Sequence, residues 1–390
     1  MKIRGDQLAP RAGTYDVRIT AELWETHFVD HVSLMTVDHP AGVDVFVDER
    51  FAKETPALAV QGMRTPRPAA QAWDEHGTDV TSLVSKQDGR YLATFALGPY
   101  QGVAADHYVD LDPGRDIPAD GRLWLVANGW IYPTDSSINV AIAQGSQSKP
   151  RGLALEAQDE NGRWTVVHSD LGFPAGKNKT ILIDLGRLAR AGVIRPRRLR
   201  LRTNLEVYWD WLAFAEPVAA DTFRTSRLQA VRADLRYRGY SQTHVAGHSS
   251  PEIPIYERLG NVTERWRDLV GYYTRYGDVR ELIEAVDDRY VIMNAGDELR
   301  LLFAASPDPA PGWTRDFVLV GDGWVKDGDF NTSFSKTVVP LPAHDRPNYE
   351  AASVASEIED DPVFRRHPQD WQNFHTRFVS PDAFLRGLRP

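Results

Sequence analysis

Carboxylates and amides at alternate positions of a turning backbone can converge on one hard cation, and Asp327, Asp329 and Asn331 in KDGDFNTSF have that spacing. Calcium is the ion that such oxygen donors suit. The complete calcium loop is not met, because Thr332 stands where the sixth position needs Gly and Val338 where the twelfth needs Glu. The same residues therefore also read as a hairpin closed by Asx turns. A second acidic turn, Asp110, Asp112 and Asp116 in DLDPGRD, has compatible spacing, yet Pro113 and Gly114 already account for it as a turn.

His27 and His31 are four residues apart, with Asp30, Asp38 and His39 nearby, so a metal cluster is conceivable there. THFVDHVSL reads as a strand, however, and residues four apart on a strand lie about 13 Å apart, too far for one ion to bridge. His244 and His248 fall in a Gly/Ser loop without HExxH. LGFPAGKNKT is not a phosphate loop: three residues separate Gly172 from Gly176, and Asn178 holds the Ser/Thr position. It reads as a β-turn between RWTVVHS and KTILIDL. The nucleophile elbow GxSxG, a Rossmann fingerprint and the kinase motifs do not occur.

The chain carries 11 Trp and 14 Tyr, and aromatic faces stack on sugar rings. Trp124, Trp164, Trp209 and Trp211 sit on strand faces and read as core. Trp130 and Tyr132 in NGWIYPTDSS, with Trp313 and Trp324, fall near loops and are the expected ligand contacts. A carboxylate pair for glycoside hydrolysis can come from distant strands, so 54 acidic residues do not discriminate for or against it.

These side chains need a scaffold, and its class is legible. At 390 residues, with 42% hydrophobic and 25% charged residues, the composition is that of a soluble globular protein of two or three domains. The net charge is −9 and the only short basic stretch is Arg195 to Arg202, so nucleic acid is not an expected partner. No Cys is present, which removes disulfides, thiol nucleophiles and Cys-ligated zinc. The N-terminus lacks an apolar h-region and no 18-residue apolar run occurs, so neither an export signal nor membrane insertion is expected. Entry into strand-like sequence by Tyr15 is the pattern of a segment cut from a longer protein.

Period-two alternation marks Tyr15, Val17 and Ile19, and again Val43, Val45 and Val47. About six strand candidates follow the turn at 110 to 121, and Leu199, Leu201, Leu205 and Val207 point to a core face thickened by Tyr208, Trp209 and Trp211. Asn261 with Glu264, and Asp278 with Glu281, have capping-box spacing ahead of apolar residues at i, i+3, i+4 and i+7, which predicts two short amphipathic helices. The expected fold is mainly β. Two β-sandwich, jelly-roll-like units at 1–109 and 110–218 precede an α+β region at 219–390.

Several segments together, WETHFVDHVSLMTVDHPAGVDVFVDERF, GWIYPTDSSINVAIAQG, DLGFPAGKNKTILIDL, LRTNLEVYWDWLAF and GDGWVKDGDFNTSFSKTVVPLP, carry a family likeness. The chain resembles the C-terminal region of large bacterial FG-GAP/VCBS-repeat proteins, often with an ASPIC/UnbV segment and sometimes with tetratricopeptide repeats. The resemblance implies a β-rich module of an extracellular or periplasmic protein, in adhesion or ligand binding. It supplies no catalytic residues, and the FG-GAP calcium signature D-x-D-x-D-G does not occur in this chain. The expected function is a non-catalytic binding or adhesion module that recognises a glycan or a neighbouring protein domain through aromatic loops. The alternative is a glycan-active hydrolase using two carboxylates, which would show as a cleft holding two facing acids.

Overall fold

A computed structural model of the chain describes residues 1–23, 25–53, 56–118, 122–193, 196–247, 249–262, 269–327, 336–348 and 357–380. The architecture is mainly β with a few short helices, and every strand pairing within its sheets is antiparallel.

Sixteen residues, Glu25–Pro40, form the spine of a curled sheet. Its order runs Lys2–Ile3, Trp313–Asp327, Glu25–Pro40, Arg224–Tyr237, Asp297–Ala304, Thr14–Thr20, with Val291–Met293 and Gly277–Asp278 paired alongside. Val32, Leu34, Leu299, Leu301 and Phe303 fill the core on this sheet. The chain leaves the sheet after Pro40 and returns at Arg224, which pairs with Asp38. Everything between is an insertion whose two ends emerge side by side, so the host strand order is undisturbed.

The insertion holds a β-sandwich. One sheet runs Trp164–His168, Ala154–Gln158, Arg198–Leu205, Val103–Asp112, Gln71–Asp74, and the other Lys179–Asp184, Trp124–Ile131, Val207–Ala215, Arg67–Pro68. Leu111, Leu155, Leu199 and Leu201 meet Leu125, Ile181, Ile183 and Leu212 in one core, none more than 1% exposed. The apolar stripe expected at Leu199 to Trp209 is this core face.

These pairings group the chain differently from units at 1–109, 110–218 and 219–390. The 109/110 division falls inside Val103–Asp112, and the strands up to Pro40 pair with strands from Arg224 onward. Alternation shows which strand faces are apolar, but it does not say which distant strand supplies the partner. The second expected helix is a single 3₁₀ turn, Arg280–Ile283, without a side-chain cap; Asp278 Oδ1 accepts from the Arg280 amide at 3.0 Å. Val279, Leu282 and Ile283 are buried as their spacing requires, while Val286 is exposed. Of the first expected helix, residues 263–268 lie outside the described residues, and Gly271–Tyr273 is a strand paired with Arg377–Val379.

A two-stranded ribbon, Val43–Val47 with Val60–Arg64, joins host and insertion. Val45 and Val47 pack with Val37 and Val318 of the host sheet. Phe46, pointing the other way, packs with Met63, Val126, Leu182 and Ala215 on the outer face of the sandwich. Truncating Phe46 therefore removes the apolar bridge on the sandwich side. Phe46→Ala is expected to cost about 3 kcal/mol and to split calorimetric unfolding into separate host and sandwich transitions; a single unchanged transition would contradict this joint.

The N-terminus is held by Asp316, whose Oδ1 accepts from the Gly5 amide at 2.8 Å and whose Oδ2 lies 3.0 Å from Lys2 Nζ and 3.6 Å from His39 Nε2. Burial pushes the Asp316 carboxyl up, but His39, Lys2 and the Gly5 amide outweigh it and hold the group at about 2. His39 is raised, chiefly by Asp316. A depressed carboxyl contributes stability present above its unfolded value of 3.8 and lost as pH falls toward about 2. The raised imidazole contributes below its unfolded value of 6.5 and stops doing so as pH rises through its folded value. Urea unfolding across pH should show Asp316→Asn losing roughly 2 kcal/mol of acid-sensitive stability together with the alkaline slope from His39. Parallel curves for both proteins would refute the assignment.

Candidate functional site

A cleft of about 510 Å³ opens between the sandwich and the connection that links the two strands of the ribbon. Arg50 fixes that connection: it bonds Asp48 at 2.9 Å, the Leu171 carbonyl at 3.3 Å and the Leu182 carbonyl. Arg50–Phe51 pairs with Phe173–Pro174. Gly172 permits this approach, because at φ +78° a Cβ there would lie 2.1 Å from the Phe51 carbonyl oxygen.

Three strand ends supply the rest of the lining. Trp124 opens its strand opposite Asp184 and stays half-buried. Beyond Asp184 the chain turns, with Asp184 Oδ1 accepting from the Gly186 amide at 2.8 Å, and the short helix Arg187–Arg190 places Arg187 at the rim. His168 ends its strand, and its Nδ1 accepts from the Asp170 amide at 3.2 Å. Burial lowers the His168 pKa, and the Arg187 charge lowers it further. The ring is thus held neutral with its proton on Nε2, which makes Nε2–H a donor.

The acids of the cleft are engaged and two of its cations are not. Asp48 holds Arg50, Asp170 Oδ1 accepts from the Gly172 amide at 3.1 Å, and Asp184 Oδ2 accepts from Arg190 at 3.2 Å. Lys53 and Arg187 make no side-chain hydrogen bond or ion pair among the described residues. A half-buried indole beside two free cations and an imidazole donor suits a ligand with an apolar ring face and a negative group.

None of the aromatics expected to contact ligand lines this cleft. Trp130 is core, 4% exposed, stacked on Tyr208 at 4.6 Å and donating from Nε1 to the Ser249 carbonyl at 3.1 Å. Its expected loop position is overridden because neighbouring strands cover it. Tyr132, 41% exposed, stands edge-on to Trp130 at 5.7 Å. Trp313 and Trp324 are eleven residues apart on one strand, about 36 Å at 3.3 Å per residue, so they do not form one surface. Trp313 lies under Arg224, whose guanidinium is 5.1 Å from the ring. Trp324 packs between Tyr290 and His344. Asp327 ends this strand; its side chain, and Asp329 and Asn331 entirely, lie outside the described residues. In the other acidic turn, Asp110 holds Arg200 at 2.6 and 2.9 Å and Asp112 Oδ1 accepts from the Gly114 amide at 2.7 Å, as a turn requires.

Sequence reasoning placed Trp124 in the core and passed over Lys53, His168 and Arg187. The only signal for Trp124 was its position at the very start of a strand, next to a turn.

Among the described residues no helix is long and apolar enough to cross a membrane. No family model and no curated protein matches the chain. Among solved structures, a "putative secreted protein" from Parabacteroides distasonis ATCC 8503 aligns over 56% of this chain and 87% of its own length, at 10% identity. Its TM-score of 0.19 is too low to assign a common fold or a role.

Proposed function

We propose that the chain is a non-catalytic binding module that takes an anionic sugar in the Trp124 cleft. The observation that carries this reading is the half-buried indole set beside Lys53, Arg187 and the His168 Nε2–H donor, none of them neutralised by the acids around them. An indole packs against the C–H face of a pyranose, and a guanidinium matches a carboxylate in two parallel hydrogen bonds. An extracellular or periplasmic setting, an adhesive role within a larger FG-GAP/VCBS-type protein, and a neighbouring protein domain as partner follow from the resemblance and belong to the same proposal. So does calcium at Asp327, Asp329 and Asn331.

A glycan array read alongside a glycosidase panel tests the cleft. Uronic-acid oligosaccharides should bind better than neutral ones, and Trp124→Ala and Arg187→Ala should each weaken binding at least tenfold, about 1.4 kcal/mol. Equal binding of neutral and acidic glycans, unchanged in Arg187→Ala, would remove the reading. Release of new reducing ends would favour the hydrolase instead.

Calcium is tested by thermal unfolding. A hundredfold excess over Kd should stabilise the native chain by about 2.7 kcal/mol, an effect abolished by Asp327→Ala with Asp329→Ala. Equal melting temperatures with calcium and with chelator would retire that ion.

A further inference from the structure

Asp30 is wholly buried on the host spine. Its Oδ2 accepts from the Asp287 amide at 3.1 Å, while its Oδ1 has no hydrogen-bond partner among the described residues. A buried carboxylate oxygen left unsatisfied is costly and calls for an explanation.

The same carboxylate belongs to a cluster of side chains of metal-ligand type. His344 Nδ1 lies 2.7 Å from Asp288 Oδ1 and 4.0 Å from Asp30 Oδ2, and Nε2 lies 2.9 Å from Asp322 Oδ1. One donor atom from each of Asp30, Asp288 and His344 falls within 4.8 Å of the other two. Backbone irregularities create this convergence. Asp322 pairs with His31 and Gly323 with Val29, so Asp30 is the extra residue of a β-bulge. Gly323 makes the bulge feasible: its φ is +154°, and a Cβ would lie 2.1 Å from the Phe28 carbonyl oxygen. Asp288 sits at φ +65°, a conformation that non-glycine residues adopt rarely and often at functional sites.

We propose that Asp30, Asp288 and His344 form a binding site for a divalent transition ion of the zinc type, with His344 ligating through Nδ1 and oriented by Asp322 at Nε2. A ligating histidine ordinarily donates its other N–H to a carboxylate, and Asp322 occupies that position. Neighbouring donors around a tetrahedral ion with bonds of about 2.0 Å stand roughly 3.3 Å apart. The 2.7 and 4.0 Å separations straddle that value, and all three donor atoms lie within 4.8 Å of one another, so the side chains must adjust to reach it without any of them leaving the cluster. Arg366 holds Asp288 Oδ2 at 2.8 Å, which offsets some of the acidic charge, while Oδ1 accepts from the His344 amide at 3.1 Å and keeps a lone pair for the ion. Trp324 packs edge-on to the imidazole at 4.5 Å and restricts its rotation. Calcium suits this set poorly, since it takes six to eight oxygens and one of the three donors here is nitrogen. A half-exposed His344 leaves the remaining coordination position open to water.

Zinc chloride titration of the untagged full chain, followed by calorimetry and metal analysis, tests the site. One zinc per chain and a chelator-reversible rise in melting temperature are expected. His344→Gln should abolish the uptake, Asp322→Asn should weaken it about 10- to 100-fold, and Asp30→Asn should abolish it where that variant folds. Both His344 and Asp322 are half-exposed, so their variants keep the test interpretable. Absence of zinc uptake by the wild type, or equal uptake by wild type and His344→Gln, overturns the proposal and leaves an imidazolium held between two carboxylates.

Discussion

Burial of the Val43–Val47 ribbon on both faces is the constraint on which the rest of the arrangement depends. A β-strand sends successive side chains to opposite sides, so one five-residue strand serves two cores: Val45 and Val47 belong to the host and Phe46 to the sandwich. Neither unit can shift against the other without exposing one of these faces. The connection that continues from the ribbon is fixed by the same contact, because Arg50 is anchored to carbonyls of the sandwich. The cleft wall is therefore set by packing some distance from the cleft itself.

The two polar sites have opposite electrostatic character and sit on opposite sides of that joint. In the sandwich cleft Asp48 and Asp184 are paired with Arg50 and Arg190, and the unpaired cations Lys53 and Arg187 outnumber Asp170, which accepts only from an amide, so the excess is positive. In the host, Asp30, Asp288 and Asp322 gather around one imidazole, with Arg366 as the nearest compensating cation, so the excess is negative. A chain of net charge −9 thus keeps its positive and negative side-chain clusters apart.

Much of the fold was legible because it depends on local periodicity. Val45 and Val47 of the first alternation, and Leu199, Leu201, Leu205, Val207 and Trp209 of the later stripe, are buried as the pattern requires, while Val43 is only half-buried. Insertion was not legible, since the pairing of Asp38 with Arg224 joins positions far apart in sequence and leaves no periodic trace. The same holds for the host cluster. Asp30 was in view beside His27 and His31 on this strand, but Asp288, Asp322 and His344, which gather near it, come from distant segments. Trp130 shows the reverse error: proximity to a loop in sequence says nothing about cover from Tyr208 and Tyr91 on other segments.

The side-by-side exit of the insertion also has a mechanical meaning. Asp38 to Ser33 pair with Arg224 to Gln229 as an antiparallel ladder, and the sandwich hangs from the end where Asp38 meets Arg224. Tension applied along the host strands on either side reaches the opposite end first. The ladder must then open one hydrogen-bonded pair after another before any load passes into the inserted segment, so the sandwich and its cleft are shielded from pulling forces that the host sheet has to bear.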